Sequence, residues 1–279
     1  MNVRLSLSTL AVSSALMFSS VSMAQSALLE GWSGSASLGA NISDGNSDTR
    51  NINGSANITK QQGPWAHTAF GNLYNSENND IEVANRFDLG YKLDRNIIND
   101  VTYVFGRIRF DVDDFGNIDQ RLSGTVGIGR HFIQDERQTF SGEIGIGATQ
   151  TDFLSLNPIE IVNTDPAAVD AAGFPIGVGE SISDPSQTPI DSLEESGALL
   201  YGSLKYSNIL SEILTFNSVL SVEVSDDNTY TLWDNSLGIK LSDRVSLALG
   251  LLTRNNSDIV GPLGENTDTV TSISIVHGI

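Results

Sequence analysis

Residues 81 to 93 read Ile81-Glu82-Val83-Ala84-Asn85-Arg86-Phe87-Asp88-Leu89-Gly90-Tyr91-Lys92-Leu93, with Ile81, Val83, Phe87, Leu89, Tyr91 and Leu93 set against Glu82, Arg86, Asp88 and Lys92. A period of two held over this length is the pattern of a β-strand with one apolar and one polar face. The charges in mid-strand decide what kind of strand it is. Together with the Ser, Asn and Gly that fill the same parity elsewhere, they suit a wet lumen better than the convex surface of a soluble lipocalin-like barrel or sandwich.

The same alternation runs outward in both directions. Upstream, Trp32, Leu38 and Ile42 alternate with Ser33, Ser35 and Asn41, and Ile52 and Ile58 with Asn51 and Asn57. The segment from 65 to 74 carries apolar residues on both faces. Downstream, Val104, Ile108 and Phe110 oppose Arg107 and Arg109, while Leu122, Val126, Ile128 and Phe132 oppose Arg121, Ser123, Thr125 and His131. Phe140, Ile144 and Ile146 oppose Ser141 and Glu143; Leu200, Leu204 and Tyr206 oppose Tyr201, Ser203 and Lys205; and Leu214, Phe216, Leu220 and Val222 oppose Thr215, Asn217 and Glu223. Three further segments, 231 to 241, 245 to 254 and 269 to 279, complete about twelve strands of roughly 10 to 14 residues, long for a globular protein but suited to a tilted membrane-spanning strand. All 7 prolines fall between these strands, as they must if every backbone N–H is paired within a bilayer. The expected fold is all-β: an antiparallel transmembrane β-barrel with one long extracellular loop.

The ends and connections set its orientation. Residues 1 to 24 have the layout of a signal peptide, with Arg4, the apolar run from Leu10 to Phe18, and Ser22-Met23-Ala24 before Gln25, so the barrel is expected to occupy 25 to 279. With the N-terminus in the periplasm, the connections at 61 to 64, 94 to 99, 134 to 137, 208 to 212 and 242 to 244 face inward and are short. Those at 111 to 119, 152 to 195 and 255 to 266 face outward and are longer. The 152 to 195 run holds nine acidic residues and five prolines but no Lys, Arg or His, and is expected to be an extracellular loop. Trp32, Tyr91, Phe132, Phe140, Tyr206 and Phe216 at inner strand ends, with Phe110 and Trp233 at outer ends, have the placement of interfacial girdles.

Composition removes other classes. The chain has 34 acidic against 15 basic residues, a formal net charge of −19 and no cysteine. Nucleic acid is not expected as a partner, and disulfide, thiol and thiolate–metal chemistry are absent. The segment from Asp111 to Asp119 has a calcium loop's glycine, Gly116, but lacks the ligand pattern, and no G-x-S-x-G elbow or P-loop occurs. His67, His131 and His277 all fall low in the barrel, away from the outer rim where a lipase or protease would need one. No enzymatic activity, catalytic residue, cofactor or metal is expected.

Several stretches carry a family resemblance: Gly31-Trp32-Ser33-Gly34 leading to Leu38-Gly39, then Asp44-Gly45-Asn46-Ser47, the strand opening at Trp65, Phe110-Asp111-Val112-Asp113-Asp114-Phe115, Gly127-Ile128-Gly129, and Thr267-Asp268-Thr269. Together they resemble the salt-induced outer-membrane protein family, a domain of unknown function. The resemblance implies a barrel in the bacterial outer membrane and a link to salt stress, and supplies no catalytic residues. Residues 152 to 195 read as an insertion against it, and the chain ends in Ile279 where such barrels often end in an aromatic residue.

The candidate functional residues are therefore in the lumen. Inward parity gives Arg86, Lys92, Arg107, Arg109, Arg121, Lys205, Lys240 and Arg254 against Glu82, Asp88, Glu143, Glu223 and Asp234, an excess of cations. Such charges either pair across the interior and close it or line a narrow aqueous path. The expected function is a structural or narrow-channel barrel of the Gram-negative envelope, a monomer whose partners are outer-membrane lipid, lipopolysaccharide and the barrel-assembly machinery. A small-solute porin and an outer-leaflet enzyme are the alternatives.

Overall fold

The computed structural model describes residues 30–43, 49–79, 81–98, 101–113, 118–153, 160–162, 181–183, 194–226, 228–257 and 266–279. The expected signal peptide, most of the acidic 152 to 195 run, and the Asp114–Asn117 tip of the calcium-like segment lie outside them. Among the described residues there is no helix.

Twelve antiparallel strands close into a barrel: β1 (Trp32–Ser43), β2 (Thr49–Gln62), β3 (Trp65–Asn78), β4 (Ile81–Ile98), β5 (Thr102–Asp113), β6 (Ile118–Gln134), β7 (Gln138–Phe153), β10 (Glu194–Ser211), β11 (Leu214–Val224), β12 (Thr229–Lys240), β13 (Val245–Asn256) and β14 (Thr267–Gly278). Each pairs with its neighbours in chain order, and β14 returns to β1. Two short strands that the sequence pattern does not reveal, β8 (Glu160–Val162) and β9 (Ser181–Ser183), pair with each other between β7 and β10. Within the barrel the closing seam is the shortest pairing. It runs from Ser35 opposite Gly278 to Gly39 opposite Ser274, whereas β1 pairs with β2 along its whole length.

Strands extend further than the alternation does. β4 runs on to Ile98, β5 to Asp113 and β10 to Ser211, through residues that the sequence reading assigns to connections. Cross-strand hydrogen bonding holds a strand beyond the level at which one face must be apolar. A bulge between His131 and Ile133 puts Ile133 opposite Phe140 and leaves both Phe132 and Ile133 exposed, where strict alternation would send Ile133 inward. The tight β2–β3 turn requires a positive φ, supplied by Gly63 at 58°. The β6–β7 turn is closed by Asp135, whose Oδ1 accepts from the backbone N–H of Arg137 at 2.9 Å and of Gln138 at 2.7 Å.

The distribution of polarity is inside-out. Ile144 and Ile146 are 64% and 67% exposed, while Glu143, next to Ile144 in the strand, is 4% exposed. Val126, Leu89, Ile273 and Ile275 also point out, and Asp88, Arg109, Arg121 and Glu223 are buried. An outer wall of aliphatic side chains around a charged interior is the reverse of a water-soluble protein and fits a lipid-facing surface. On that wall the rings of Phe132, Phe140, Tyr206 and Phe216 touch in sequence across β6, β7, β10 and β11, at centroid distances of 5.3, 6.4 and 6.4 Å. This is one arc of a girdle.

Inward aromatics rest on glycine backbone. Tyr103 lies opposite Gly129 and Phe105 opposite Gly127, and a Cβ on Gly129 would fall 2.2 Å from the Tyr103 ring. Gly129→Val is therefore expected to displace Tyr103 and destabilise the barrel by about 1–3 kcal/mol, the range for overpacking a filled interior. A lower urea midpoint for the refolded protein checks this, and an unchanged midpoint would show that the ring moves aside freely.

Candidate functional site

Alternation places one side chain in two in the lumen, so strands that are not neighbours in the wall can still meet inside. The lower group centres on Glu143 of β7, whose side chain is 1% exposed. Its Oε1 takes Lys92 Nζ of β4 at 2.6 Å, Lys205 Nζ of β10 at 3.3 Å and a hydrogen bond donated by Tyr103 Oη at 2.7 Å. Tyr201 Oη donates to Oε2 at 3.4 Å. Lys92 also meets Asp94 Oδ1 at 2.6 Å and stands 5.0 Å from the ring centroids of both Tyr103 and Phe105. Tyr103, Phe105 and Tyr201 form a buried apolar cluster at this level.

The upper group holds three arginines. Arg107 Nη1 of β5 reaches Glu223 Oε1 of β11 at 2.8 Å, and Arg109 stands 3.8 Å from the same oxygen and 3.6 Å from Asp111. Arg121 of β6 binds Asp111 through two nitrogens, at 2.5 and 3.2 Å, the fork geometry that makes guanidinium–carboxylate pairs strong. The guanidinium groups of Arg109 and Arg121 lie 5.6 and 4.7 Å from the Tyr230 ring of β12, and that of Arg107 lies 5.1 Å from Tyr201 and 5.7 Å from Phe70. These are cation–π distances. At the rim, Arg86 of β4 joins Asp113 of β5 at 2.8 Å and Asp268 of β14 at 2.5 Å.

The structure thus divides the candidates named from sequence. Arg107, Arg109, Arg121 and Glu223 come together, and Glu143 lies in a separate group with Lys92 and Lys205. Arg86 stands at the rim. Asp88 is buried and accepts from Asn72 Nδ2 at 2.8 Å, while Glu82 is exposed and accepts from Asn75 Nδ2 at 3.3 Å. Asp234 is exposed on β12, and Lys240, also exposed, pairs with Asp243 at 2.9 Å. The expected excess of cations is corrected. Asp94, Asp111, Asp113 and Asp268, which the sequence reading left in connections or off the polar parity, all pair with lumen cations, and they erase it. The inward rings of Tyr103, Phe105 and Tyr230 were missed as well. For Tyr103 and Phe105 the signal lies in β5, where both share the parity of Arg107 and Arg109, and Tyr230 shares the parity of Asp234 on β12.

The arrangement has two chemical consequences. The Arg107–Glu223 pair links β5 to β11, and Arg86–Asp268 links β4 to β14, each spanning the interior between strands separated by three others in the wall. Away from the Arg107–Glu223 strut, the inner faces of β1, β2 and β14 carry small polar groups: Ser37 and Ser55 share a hydrogen bond of 2.7 Å, and Asn53 Nδ2 donates to Ser274 Oγ at 2.9 Å. Above the upper group a polar recess is bounded by Arg121, Thr151, Glu195, Glu223, Tyr230 and Asn256. Among the described residues no group of His, Cys, Asp and Glu is arranged to hold a metal ion.

In fold the chain is similar to the translocator domain of the autotransporter NalP from Neisseria meningitidis, at 11% identity over 97% of this chain and 96% of that one, with a TM-score of 0.46. It is also similar to an outer-membrane channel from Pseudomonas putida F1, at 7% identity over 89% and 95% of the two chains and a TM-score of 0.46. A third likeness is to the outer-membrane channel DcaP of Acinetobacter baumannii, at 8% identity over 89% and 96% and a TM-score of 0.34. No protein of curated function matches the chain. The family described as "Protein of unknown function, DUF481" matches residues 36–279, and the chain belongs to that family.

Proposed function

We propose that the protein is a β-barrel of the Gram-negative outer membrane whose lumen is held nearly closed by cross-lumen ion pairs, so that it acts as a structural element or a narrow channel in the envelope's response to salt or osmotic stress. The observation that carries this reading is the Arg107–Glu223 strut with its flanking arginines, since charged groups this buried fill the section through which a solute would pass. The aliphatic outer wall and the aromatic arc support the membrane location. Short turns at one end support an orientation with both termini in the periplasm and the acidic 152 to 195 connection outside. Lipid, lipopolysaccharide and the assembly machinery are then its partners, it is a monomer, and it has no catalytic role.

A solute porin is the second reading, favoured by the Ser- and Asn-lined side of the lumen, where water could pass beside the struts. Planar-bilayer recordings of the refolded full chain separate the two. The first reading expects a barrel that shows heat-modifiable migration on gels yet conducts only in small steps. Large, steady, weakly selective conductance would establish the porin reading instead, and recovery of the protein in the soluble periplasm without detergent would refute both.

A further inference from the structure

Most lumen cations described above have carboxylate partners, but three cations on the outer wall do not. Lys60 of β2, Arg95 of β4 and Arg130 of β6 share the outward parity of Leu93, Val104 and Ile128, as their register shows: Lys60 faces His67, which faces Leu93; Arg95 faces Val104, which faces Ile128; and Arg130 is two residues further along β6. Among the described residues, no carboxylate pairs with any of them. Lys60 Nζ donates to the backbone carbonyl of Glu30 at 2.9 Å, and the Arg95 guanidinium lies 5.2 Å from the Trp65 ring centroid. Arg95 and Arg130 are exposed.

All three stand near one end of the barrel, within a few residues of the β2–β3, β4–β5 and β6–β7 turns, in a chain with more than twice as many acids as bases. The amphipathic rings of an interfacial belt lie among them. Trp32 is opposite Lys60 and Trp65 opposite Arg95, and His67 Nδ1 hydrogen-bonds to Tyr91 Oη at 2.6 Å. Each successive pair, Lys60 to Arg95 and Arg95 to Arg130, is two strands and two residues apart, roughly 12 Å at about 4.8 Å per strand and about 3.3 Å per residue, a spacing that one or two lipid headgroups can bridge. Unpaired cations at headgroup level beside aromatic anchors need anionic partners from the membrane itself.

We infer that the outer wall of β2 to β6 at its turn end is a binding surface for anionic glycerophospholipid, with Lys60, Arg95 and Arg130 engaging the phosphodiester headgroups and Trp65 and Tyr91 lying against the acyl–headgroup boundary. The inference rests on the membrane orientation proposed above, which puts this end in the periplasmic leaflet. There it ties one arc of the barrel to the charge of that leaflet.

The three tryptophans make the test local. On a Trp233→Phe background only Trp32 and Trp65 fluoresce, Trp65 within the patch and Trp32 on β1 beside Lys60 at its edge. The refolded full chain is placed in phosphatidylcholine vesicles containing a minor fraction of brominated phosphatidylglycerol or, separately, brominated phosphatidylcholine. Anionic lipid at the patch is expected to be enriched about fivefold, the effect of one basic side chain at an anionic surface, and to quench correspondingly more. Lys60→Gln, Arg95→Gln and Arg130→Gln together should remove the difference while heat-modifiable migration persists. Arg130→Gln alone, at an exposed side chain, should remove part of it and serves if the triple variant fails to fold. Equal quenching by the two lipids in the parent protein, or a preference unchanged in a folded variant, overturns the inference. Displacement of brominated phosphatidylglycerol by lipid A at equal phosphate would also overturn it, by assigning the patch to the opposite leaflet. Loss of heat-modifiable migration in the parent protein would instead refute the barrel reading on which the inference rests.

Discussion

Glu143→Ala is expected to give the largest loss of stability of any single lumen substitution. The carboxylate is 1% exposed and receives two lysines and two tyrosine hydroxyls. Removing one partner of a buried ionic group leaves an uncompensated charge, at a cost of about 3–5 kcal/mol. Lys92 keeps Asp94 at 2.6 Å, and Lys205 is 42% exposed and can turn to water, so the lower end of that range applies. Glu143→Gln keeps an acceptor for Tyr103 and should lose less. The check is the urea midpoint for unfolding of the refolded barrel, with conductance recorded on the same preparation. The alanine variant should unfold earlier and conduct more, and a stability equal to the parent's would mean that the cluster is incidental to the lumen's packing.

The second large effect is on permeation. Replacing Arg107 and Arg109 together by alanine removes the strut to Glu223 and two cations from the upper group. Conductance is expected to rise several-fold, and selectivity should move toward cations, because Glu223, Asp111 and Asp88 are then left in excess and a ring of carboxylates admits cations. Glu223→Ala should also raise conductance but push selectivity toward anions, since it leaves Arg107 and Arg109 without that partner. The opposite signs distinguish an electrostatic role from simple widening. Unaltered conductance and selectivity in both variants would sink the lumen-closing reading.

The barrel was legible in the sequence because a lipid-facing wall demands an apolar side chain at every second position, and β4 from Ile81 to Leu93 meets that demand almost without exception. The lumen was legible only in part. Asp111 and Asp113 lie where the apolar alternation fades, yet the backbone ladder carries the strand past them. Tyr103 and Phe105 share the inward parity without a charge to mark it, although Gly127 and Gly129 opposite them show where rings can lie on bare backbone. Which charges meet was not legible at all. Arg107 finds Glu223 across strands that share no hydrogen bonds, and alternation along one strand says nothing about the tilt and stagger that bring them level.

The cross-lumen struts also bear on the order in which the chain assembles. Arg107 and Glu223 are separated by 116 positions, and Arg86 and Asp268 by 182. Each hairpin in the wall can form from neighbours close in sequence, at the small entropic cost of a short loop, whereas these pairs reward the chain only after most of the ring has curled. They therefore act late. An incompletely curled sheet exposes unmatched arginines and carboxylates on its concave side and stays open to exchange of partners, and closure sets these charges together in one cooperative step. The interior charges thereby serve as a latch that registers completion of the barrel, joining its amino-terminal and carboxy-terminal halves through a bond that neither half can make alone.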